Sequence, residues 1–522
     1  MIPRAIAPGE IVFGAEALTI EDILAVAQDG VTVRLANDLE FRRRILQGSA
    51  FLDRLLDEDG VIYGVTTGYG DSCTTQVPRV LVEELPLQLA RFHGCGLGAH
   101  LSHAATRAVL ATRLVSLCRG YSGVRLELLE RLVELLNLDV TPLIPEEGSV
   151  GASGDLTPLS YVAALLVGER EASYQGMRLP AAELHRRLGL QPLALRPKEG
   201  LAVMNGTAVM TALACEALAR ADYLTRLATR LTALASVALA GNRHHFDERL
   251  FAVKPHPGIQ QVAAWLRHDL NVDEAPRDAG RLQDRYSIRC APHVIGVLRD
   301  SLPWMRSFIE NELNSVNDNP VIDGERQHVL HGGHFYGGHI AFVMDSLKAC
   351  VANLADLMDR QLALLVDVKF NQGLPANLSG ACPARQAINH GFKGVQIGAS
   401  AWTAEALKLT MPASVFSRST ECHNQDKVSM GTIAARDCLR VLQLTEQVAA
   451  AQTLAATQAM ELRRRRSGRH WFAPTGELAD EPARFLASVL ETFTFLEDDR
   501  PLEPDLRRVV TMIQQRHWPL YT

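Results

Sequence analysis

The sequence predicts a mainly α-helical protein, a bundle of long helices with a loop-rich N-terminal region. Segments rich in glycine and proline separate the predicted helices. Strand-like stretches are short and confined to 31–35 and 172–174, the second just before a turn at Gly176. Apolar residues recur at helical spacing over six long segments. These segments are 102–119, 123–137, 207–240, 291–315, 339–369 and 432–463.

The segment 123–137 shows the helical period most clearly. Leucines at positions 128, 132, 135 and 136 fall on one face of a helix. Glu127 and Arg131 are predicted to form an i,i+4 ion pair on the opposite face. The leucine face is therefore expected to be buried.

The chain has 522 residues, of which 47% are hydrophobic and 21% charged, a balance typical of a folded globular protein. No fixed-period repeat or low-complexity linker divides it. The loop-rich part gives way to long helices near 205–210. We therefore predict an N-terminal region over 1–208 and a helical region over 209–522.

Charge and cysteine usage exclude several classes of protein. The formal net charge is -6, without a long basic stripe, which argues against a nucleic-acid partner. No apolar run reaches the roughly 20 residues that a membrane span needs, so no membrane association is predicted. Nine scattered cysteines without a C-x-x-C pair are typical of a reducing compartment and offer no zinc site. These patterns predict a cytoplasmic protein.

The segment 148–155, GSVGASGD, is the densest glycine and serine stretch. A phosphate-binding loop would end in Gly-Lys-Ser/Thr, whereas Asp155 follows here. A hydrolase nucleophile elbow needs Gly-x-Ser-x-Gly, whereas Gly154 follows Ser153 directly. One remaining interpretation is a plain turn in which Asp155 caps the next helix, because glycine tolerates unusual backbone angles and aspartate accepts from helix amides.

The other remaining interpretation is chemical. Because Gly154 has no side chain, its amide nitrogen can approach the carbonyl of Ala152. Ring closure with loss of two waters would convert Ser153 into an exocyclic methylidene, a strong electrophile. These residues alone leave both interpretations open.

The segment 151–160, GASGDLTPLS, resembles the signature of the histidine, phenylalanine and tyrosine ammonia-lyase and aminomutase family. The likeness extends in order from about Tyr63 to about Met430. The resemblance implies the ammonia-lyase superfamily architecture shared with fumarase and aspartase. It also implies a protein-derived 4-methylidene-imidazol-5-one formed from Ala152, Ser153 and Gly154 without an external cofactor, and a homotetramer.

Elimination of ammonia requires a base for the weakly acidic β-proton and an improved leaving group for the amine. In 62–70, IYGVTTGYG, Tyr63 matches the family's mobile-loop base. Asn205 matches an asparagine beside the electrophile. Taken alone, Tyr63 would be a packed aromatic and Asn205 would cap the helix that begins near Thr207.

The segment 283–290, QDRYSIRC, offers a carboxylate-binding group. The guanidinium fork of Arg289 suits a substrate carboxylate, and Tyr286 lies three residues earlier on the same side of a helical turn. The resemblance implies that Arg289 binds the carboxylate, Tyr286 assists elimination and Gln283 supports the site.

Two further segments match the family's substrate-binding positions. Gln425 in HNQD follows Glu421 by one turn, and a polar helix face would also explain that string. Phe335 matches a pocket residue of a Gly-Gly-Asn-Phe motif in which His334 replaces the asparagine. His331, His334 and His339 invite a metal interpretation, but no carboxylate or cysteine partner accompanies them, so no metal is predicted.

The resemblance assigns the substrate side chain to Phe92 and His93, a pair that matches no one specificity in the family. Phe92 can stack on any aromatic ring, and His93 can hydrogen-bond a phenol or an imidazole. Segment 63–70 resembles a bacterial tyrosine aminomutase, and 371–378 resembles plant phenylalanine enzymes. The sequence thus favours elimination of ammonia from tyrosine or phenylalanine to give coumarate or cinnamate.

Three alternatives remain open at this point. The first is a histidine ammonia-lyase that forms urocanate, and the second is a tyrosine or phenylalanine 2,3-aminomutase. The third is a helical scaffold or binding protein that keeps the fold without turnover.

Overall fold

A computed structural model describes residues 9–58, 60–271, 281–467 and 478–521. The mainly α fold with long helices is confirmed. The α-helices are Ile20–Gln28, Leu39–Asp57, Leu85–Phe92, His103–Cys118, Leu126–Asn137, Leu156–Leu166, Ala181–Leu188, Glu199–Met204, Ala208–Ala238, Glu248–Ala252, Pro257–Asp269, Tyr286–Arg289, Ala291–Leu313, Gly338–Val366, Lys393–Lys408, Gly431–Ser467, Asp480–Thr492 and Glu503–Gln514.

All six predicted long segments are helical. In Leu126–Asn137 the four leucines of the predicted face are at most 2% exposed, because one stripe of the helix packs on the core. The predicted pair between Glu127 and Arg131 is wrong. Arg131 instead binds Glu134 at 2.9 Å, three residues later on the same face, and Glu127 binds the N-cap residue Arg125 at 3.0 Å.

The strands are short and pair in twos and threes. Glu10–Phe13 and Thr32–Leu35 are parallel, and the antiparallel pairs are Leu97–His100 with Pro145–Glu147, Val140–Pro142 with Glu171–Tyr174, Glu171–Tyr174 with Met177–Pro180, and Val321–Asp323 with His328–Leu330. Both predicted strands are therefore present. Gly176 makes the expected turn with a φ of +73°.

Contacts group the described residues into two compact units. The first runs to Ala217 and includes Met305–Asp345 and Pro412–Arg436. The second consists of the remaining described segments. A division into 1–208 and 209–522 stays a prediction. In the part of the chain that the structure describes, the helices are too short or too polar to span a bilayer.

Candidate active site

The first unit contains a cavity of about 810 Å³ that brings most of the predicted site residues together. Glu421, Asn319 and His331 also line it. The predicted residues in its wall are Tyr63, Phe92, His93, Ala152, Ser153, Asn205, Phe335 and Gln425.

Gly154 lies just beside this wall in a position that only glycine fits. Its φ is +67°, and it forms a parallel bridge with Gly206. A Cβ at Gly154 would overlap the Gly206 carbonyl. The next amide, that of Asp155, donates to the same carbonyl at 2.8 Å. The predicted electrophile segment, residues 148–155, is thus held against the start of the helix Ala208–Ala238.

Asp155 anchors the segment but does not cap the helix that follows it. It occupies the N-cap position of Leu156–Leu166 without a side-chain capping bond, so that part of the plain-turn interpretation is wrong. Its fully buried carboxylate instead accepts from Met210 N at 2.9 Å, at the start of another helix. Ser149 Oγ, at 3.0 Å, and the Thr432 hydroxyl also donate to it. Burial raises the pKa of Asp155, and these donors oppose the rise.

Two amide side chains hold Ser153. Asn205 Nδ2 donates to the Ser153 carbonyl at 2.8 Å, and Gln425 Nε2 donates to Ser153 Oγ at 3.2 Å. Asn205 is 2% exposed at the end of the helix Glu199–Met204, and Arg113 donates to its carbonyl at 3.0 Å. Asn205 therefore contacts the electrophile segment, while the next long helix begins later, at Ala208.

Gln425 lies in a tight hairpin, so the polar-helix alternative is wrong. Thr420 and Gln425 exchange backbone hydrogen bonds of 3.0 and 3.2 Å. Residues 421–423 are all left-handed, with φ values of 51°, 53° and 65°. This conformation is costly for residues other than glycine, and strain of this kind is concentrated at functional sites.

Glu421 in this hairpin holds the predicted mobile loop. Its Oε1 accepts from Asp71 N at 2.9 Å, at the start of the short 3-10 helix Gly70–Thr74. Gly70 N in turn donates to the Tyr63 hydroxyl at 2.7 Å. Burial raises the pKa of Tyr63, and the nearby Glu421 carboxylate raises it further, while the Gly70 amide opposes both.

Phe92 and His93 lie at the C-terminal end of the helix Leu85–Phe92. His93 Nδ1 is 3.0 Å from the carbonyl of Leu89, one turn earlier. The rings of Phe92 and His93 are 4.3 Å apart between centroids, and Phe92 is 60% exposed. Burial lowers the pKa of His93, so its neutral form is favoured.

The histidine-rich segment contributes ring surfaces to the cavity. Phe335 and His331 line it, and His331 meets Tyr63 edge-on at 6.4 Å between centroids. His339 instead packs against Phe308 at 5.1 Å. Among the described residues, the structure groups no set of three metal-ligating side chains.

Comparison with known proteins shows the family of this chain. The family model for aromatic amino acid lyases matches residues 18–483. The chain belongs to this family. A histidine ammonia-lyase of Gloeobacter violaceus is 38% identical over 509 residues, covering 96% of this chain and 95% of that protein.

Solved structures of aromatic amino acid lyases and aminomutases share the fold. Tyrosine aminomutase from Streptomyces globisporus has a TM-score of 0.89 and 33% identity, covering 97% of each chain. Histidine ammonia-lyase from Trypanosoma cruzi has a TM-score of 0.87 and 31% identity, covering 97% of this chain and 94% of that one. The ammonia-lyase superfamily architecture is thereby confirmed, and family membership places the chain among carbon–nitrogen lyases.

Three family positions are not among the lining residues of the cavity. Gln283, Tyr286 and Arg289 belong to the second unit, where Tyr286 is 71% exposed. Arg289 lies over the Tyr286 ring at 4.7 Å, as their spacing predicts, and its Nε donates to the Asp284 carbonyl at 3.0 Å. Among the described residues, no carboxylate pairs with the guanidinium of Arg289.

Some residues that support the site lie far from it in the sequence, and the sequence did not predict them. Thr432 lies 277 residues from Asp155, and Arg113 lies 92 residues from Asn205. No local pattern reports such contacts. A signal was available only for Glu421, which stands close to Gln425 in a polar string.

Proposed function

We propose that this chain eliminates ammonia from an aromatic L-amino acid whose ring carries a hydrogen-bond donor. Histidine, which would give urocanate, is the first candidate, and tyrosine, which would give coumarate, is the second. The observation that carries this proposal is the orientation of His93.

His93 offers its substrate an acceptor. Its Nδ1 lies 3.0 Å from the Leu89 carbonyl, which can only accept, so Nδ1 carries the proton. In the neutral ring, Nε2 then has a free lone pair. The imidazole N–H of histidine or the phenol O–H of tyrosine can donate to it, whereas a phenyl ring cannot. A bound phenyl ring would cover this half-buried acceptor without pairing with it, at a cost of about 1–3 kcal/mol, which disfavours phenylalanine roughly 10- to 100-fold.

The curated relatives rank histidine ahead of tyrosine. The relatives from Gloeobacter violaceus and from Homo sapiens, at 38% and 37% identity, are both histidine ammonia-lyases. They favour the histidine alternative over the preference for tyrosine or phenylalanine drawn from the sequence. The likeness to the Streptomyces globisporus tyrosine aminomutase supports tyrosine as the second candidate, with the amine either released or returned to the β-carbon.

The residues around Ser153 fit the proposed methylidene-imidazolone. Gln425 Nε2 donates to Ser153 Oγ, the oxygen that would leave as water when the methylidene forms, whereas ring closure would expel the Ala152 oxygen. Asn205 donates to the Ser153 carbonyl, which would become the ring carbonyl and so draw electrons from the methylidene. When formed, the group would supply an electrophilic carbon that turns the substrate amine into a better leaving group.

Tyr63 is proposed as the base that takes the β-proton. Burial raises the pKa of Tyr63, so its phenolate is a stronger base than that of an exposed tyrosine. The Gly70 amide, 2.7 Å from the hydroxyl oxygen, stabilises the phenolate. We further propose a homotetramer in which Gln283, Tyr286 and Arg289 of another subunit complete the site and Arg289 binds the substrate carboxylate.

Separate incubations with histidine, tyrosine and phenylalanine test the proposal by the absorbance of the arylacrylate that each would form. We expect turnover of histidine or tyrosine at least about tenfold faster than that of phenylalanine. Chromatography of the same mixtures for β-amino acids separates an aminomutase from a lyase. Intact mass should show the loss of two water molecules. A full-mass chain without product in any mixture would instead favour a scaffold.

A further inference from the structure

Arg170 contacts the end of the helix that precedes His93. It follows the helix Leu156–Leu166 and immediately precedes the strand Glu171–Tyr174. Its φ of +62° lies in the left-handed region, which is unfavourable for a residue with a long side chain. Such a conformation persists where surrounding contacts fix it, so its contacts are informative.

The guanidinium of Arg170 makes three contacts. Its Nη2 donates to the carbonyl of Ala90, at the C-terminal end of the helix Leu85–Phe92, where a cation is favourable. Its Nη1 donates to Ser160 Oγ at 3.0 Å. Its planar face lies 4.4 Å from the centroid of the Tyr161 ring. The Arg170 side chain therefore links the helix Leu156–Leu166 to the end of the helix Leu85–Phe92.

Ser160 extends this link to His93 itself. Ser160 is fully buried, and its Oγ lies 3.2 Å from the His93 carbonyl and 2.7 Å from that of Thr157. Its one hydroxyl hydrogen is shared between these carbonyls, while its lone pair accepts from Arg170. At Gly94 a Cβ would overlap the Arg170 guanidinium, so the backbone just after His93 packs closely against this side chain.

We propose that Arg170 is a positioning residue that sets the ring selectivity of the cavity by holding the backbone at Ala90 and His93. The inference rests on the proposed role of His93. The bond from His93 Nδ1 to the Leu89 carbonyl forms in the same helical turn that Arg170 holds. When that turn loosens, either ring nitrogen can face the substrate, and preference for a ring donor falls.

A neighbouring ion pair provides a matched control. Arg91 pairs with Glu169 at 2.6 Å, joining the same helix end to the residue just before Arg170. In the described part of the chain, the Arg91 side chain bonds to Glu169 and makes no hydrogen bond to His93 or Ser160. Arg91→Met therefore removes a cation from the same place without disturbing the proposed path.

The test compares Arg170→Met with Arg91→Met, each alone and combined with His93→Ala. The readout is the ratio of kcat/KM for the better ring-donor substrate to that for phenylalanine. We expect Arg170→Met to lower this ratio about tenfold, mainly through KM, the effect of one lost hydrogen bond. Arg91→Met should leave it unchanged, and His93→Ala should remove the effect of Arg170→Met. An unchanged ratio, or an equal fall without His93, would overturn the proposal.

A second measurement keeps this inference separate from the proposed function. Ring-¹⁵N NMR, with the His93 signal assigned from His93→Ala, reports which nitrogen carries the proton. We expect a single Nδ1–H tautomer in the wild type and a mixture in Arg170→Met. If the wild type turns over none of the three amino acids, the proposed function fails, and the NMR comparison still decides the role of Arg170. If Arg170→Met does not fold, Arg170→Lys, which keeps the charge but cannot reach both acceptors, replaces it.

Discussion

The electrophile segment 148–155 and the arginine segment 283–289 carry equally clear family motifs, yet their surroundings differ. Within the first unit, hydrogen bonds from the starts of two long helices hold the electrophile segment, and Asp155 is fully buried. In the second unit, Tyr286 is 71% exposed, and the described residues offer the Arg289 guanidinium no carboxylate.

This difference separates two kinds of functional residue. A group made by cyclisation, as proposed for residues 152–154, needs a scaffold that exists before any substrate arrives. A residue that binds the substrate can remain exposed until another protein surface packs around it. Substitutions of the side chain that anchors the electrophile segment should therefore affect folding and chemistry together, and substitutions in the arginine segment chemistry alone.

Replacing Ser153 gives the largest expected loss. Ser153→Ala removes the hydroxyl whose loss would create the methylidene, so we expect turnover to fall on the order of 10⁴-fold or more. Intact mass should show no loss of water. The melting temperature should stay close to the wild-type value, because the hydrogen bond from Asn205 to the backbone carbonyl of residue 153 is kept. Wild-type turnover by this variant would refute the assignment of the electrophile.

Replacing Arg289 should cost activity without stability. Arg289→Gln removes the fork proposed to bind the carboxylate, so we expect kcat/KM to fall about 10²- to 10³-fold. Thermal unfolding should be unaffected, since among the described residues the guanidinium contacts just the Asp284 carbonyl and the Tyr286 ring. Arg249→Gln, an exposed arginine of the same unit, is the control for both measurements. A lower melting temperature in Arg289→Gln alone would show a structural role instead.

Replacing Asp155 should affect both properties. Asp155→Asn keeps the shape of the side chain but places an NH₂ group, itself a donor, against the groups that donate to the carboxylate. We therefore expect the free energy of unfolding to fall by about 2 kcal/mol. Because the segment is then held less firmly, a smaller fraction of chains should have lost two waters. Chemical denaturation and intact mass measure the two effects. A fully dehydrated, equally stable variant would show that Asp155 anchors nothing essential.

The long helices and the residues around Ser153 were predictable because their signals are local. Helical periodicity spans a few turns, and the motif of residues 151–160 is contiguous. The supports of the site were not predictable in this way. Thr432 and Arg170 contact residues that are far away in the sequence. The hairpin at 420–425 depends on left-handed backbone conformations, and it contains no glycine that would have predicted them. The ion pair expected between Glu127 and Arg131 failed because sequence spacing cannot choose between equally near partners.

The smallest expected effect is on the pH dependence of stability, and it comes from a buried histidine outside the cavity. His185 in the helix Ala181–Leu188 is 1% exposed, and burial, helped by the nearby Arg131 cation, lowers its pKa. The unfolded chain therefore takes up a proton that the folded chain resists, so stability is complete above about pH 6.5 and falls as the pH drops below it. The slope should approach about 1 kcal/mol per pH unit.

Chemical denaturation between pH 5 and 8 should show a shallower slope in His185→Leu than in the wild type. The exposed His328 provides the matched control, because His328→Leu should keep the wild-type slope. Neither variant should alter substrate selectivity, since neither residue lines the cavity. An unchanged slope in His185→Leu would mean that His185 takes up its proton equally well in the folded chain.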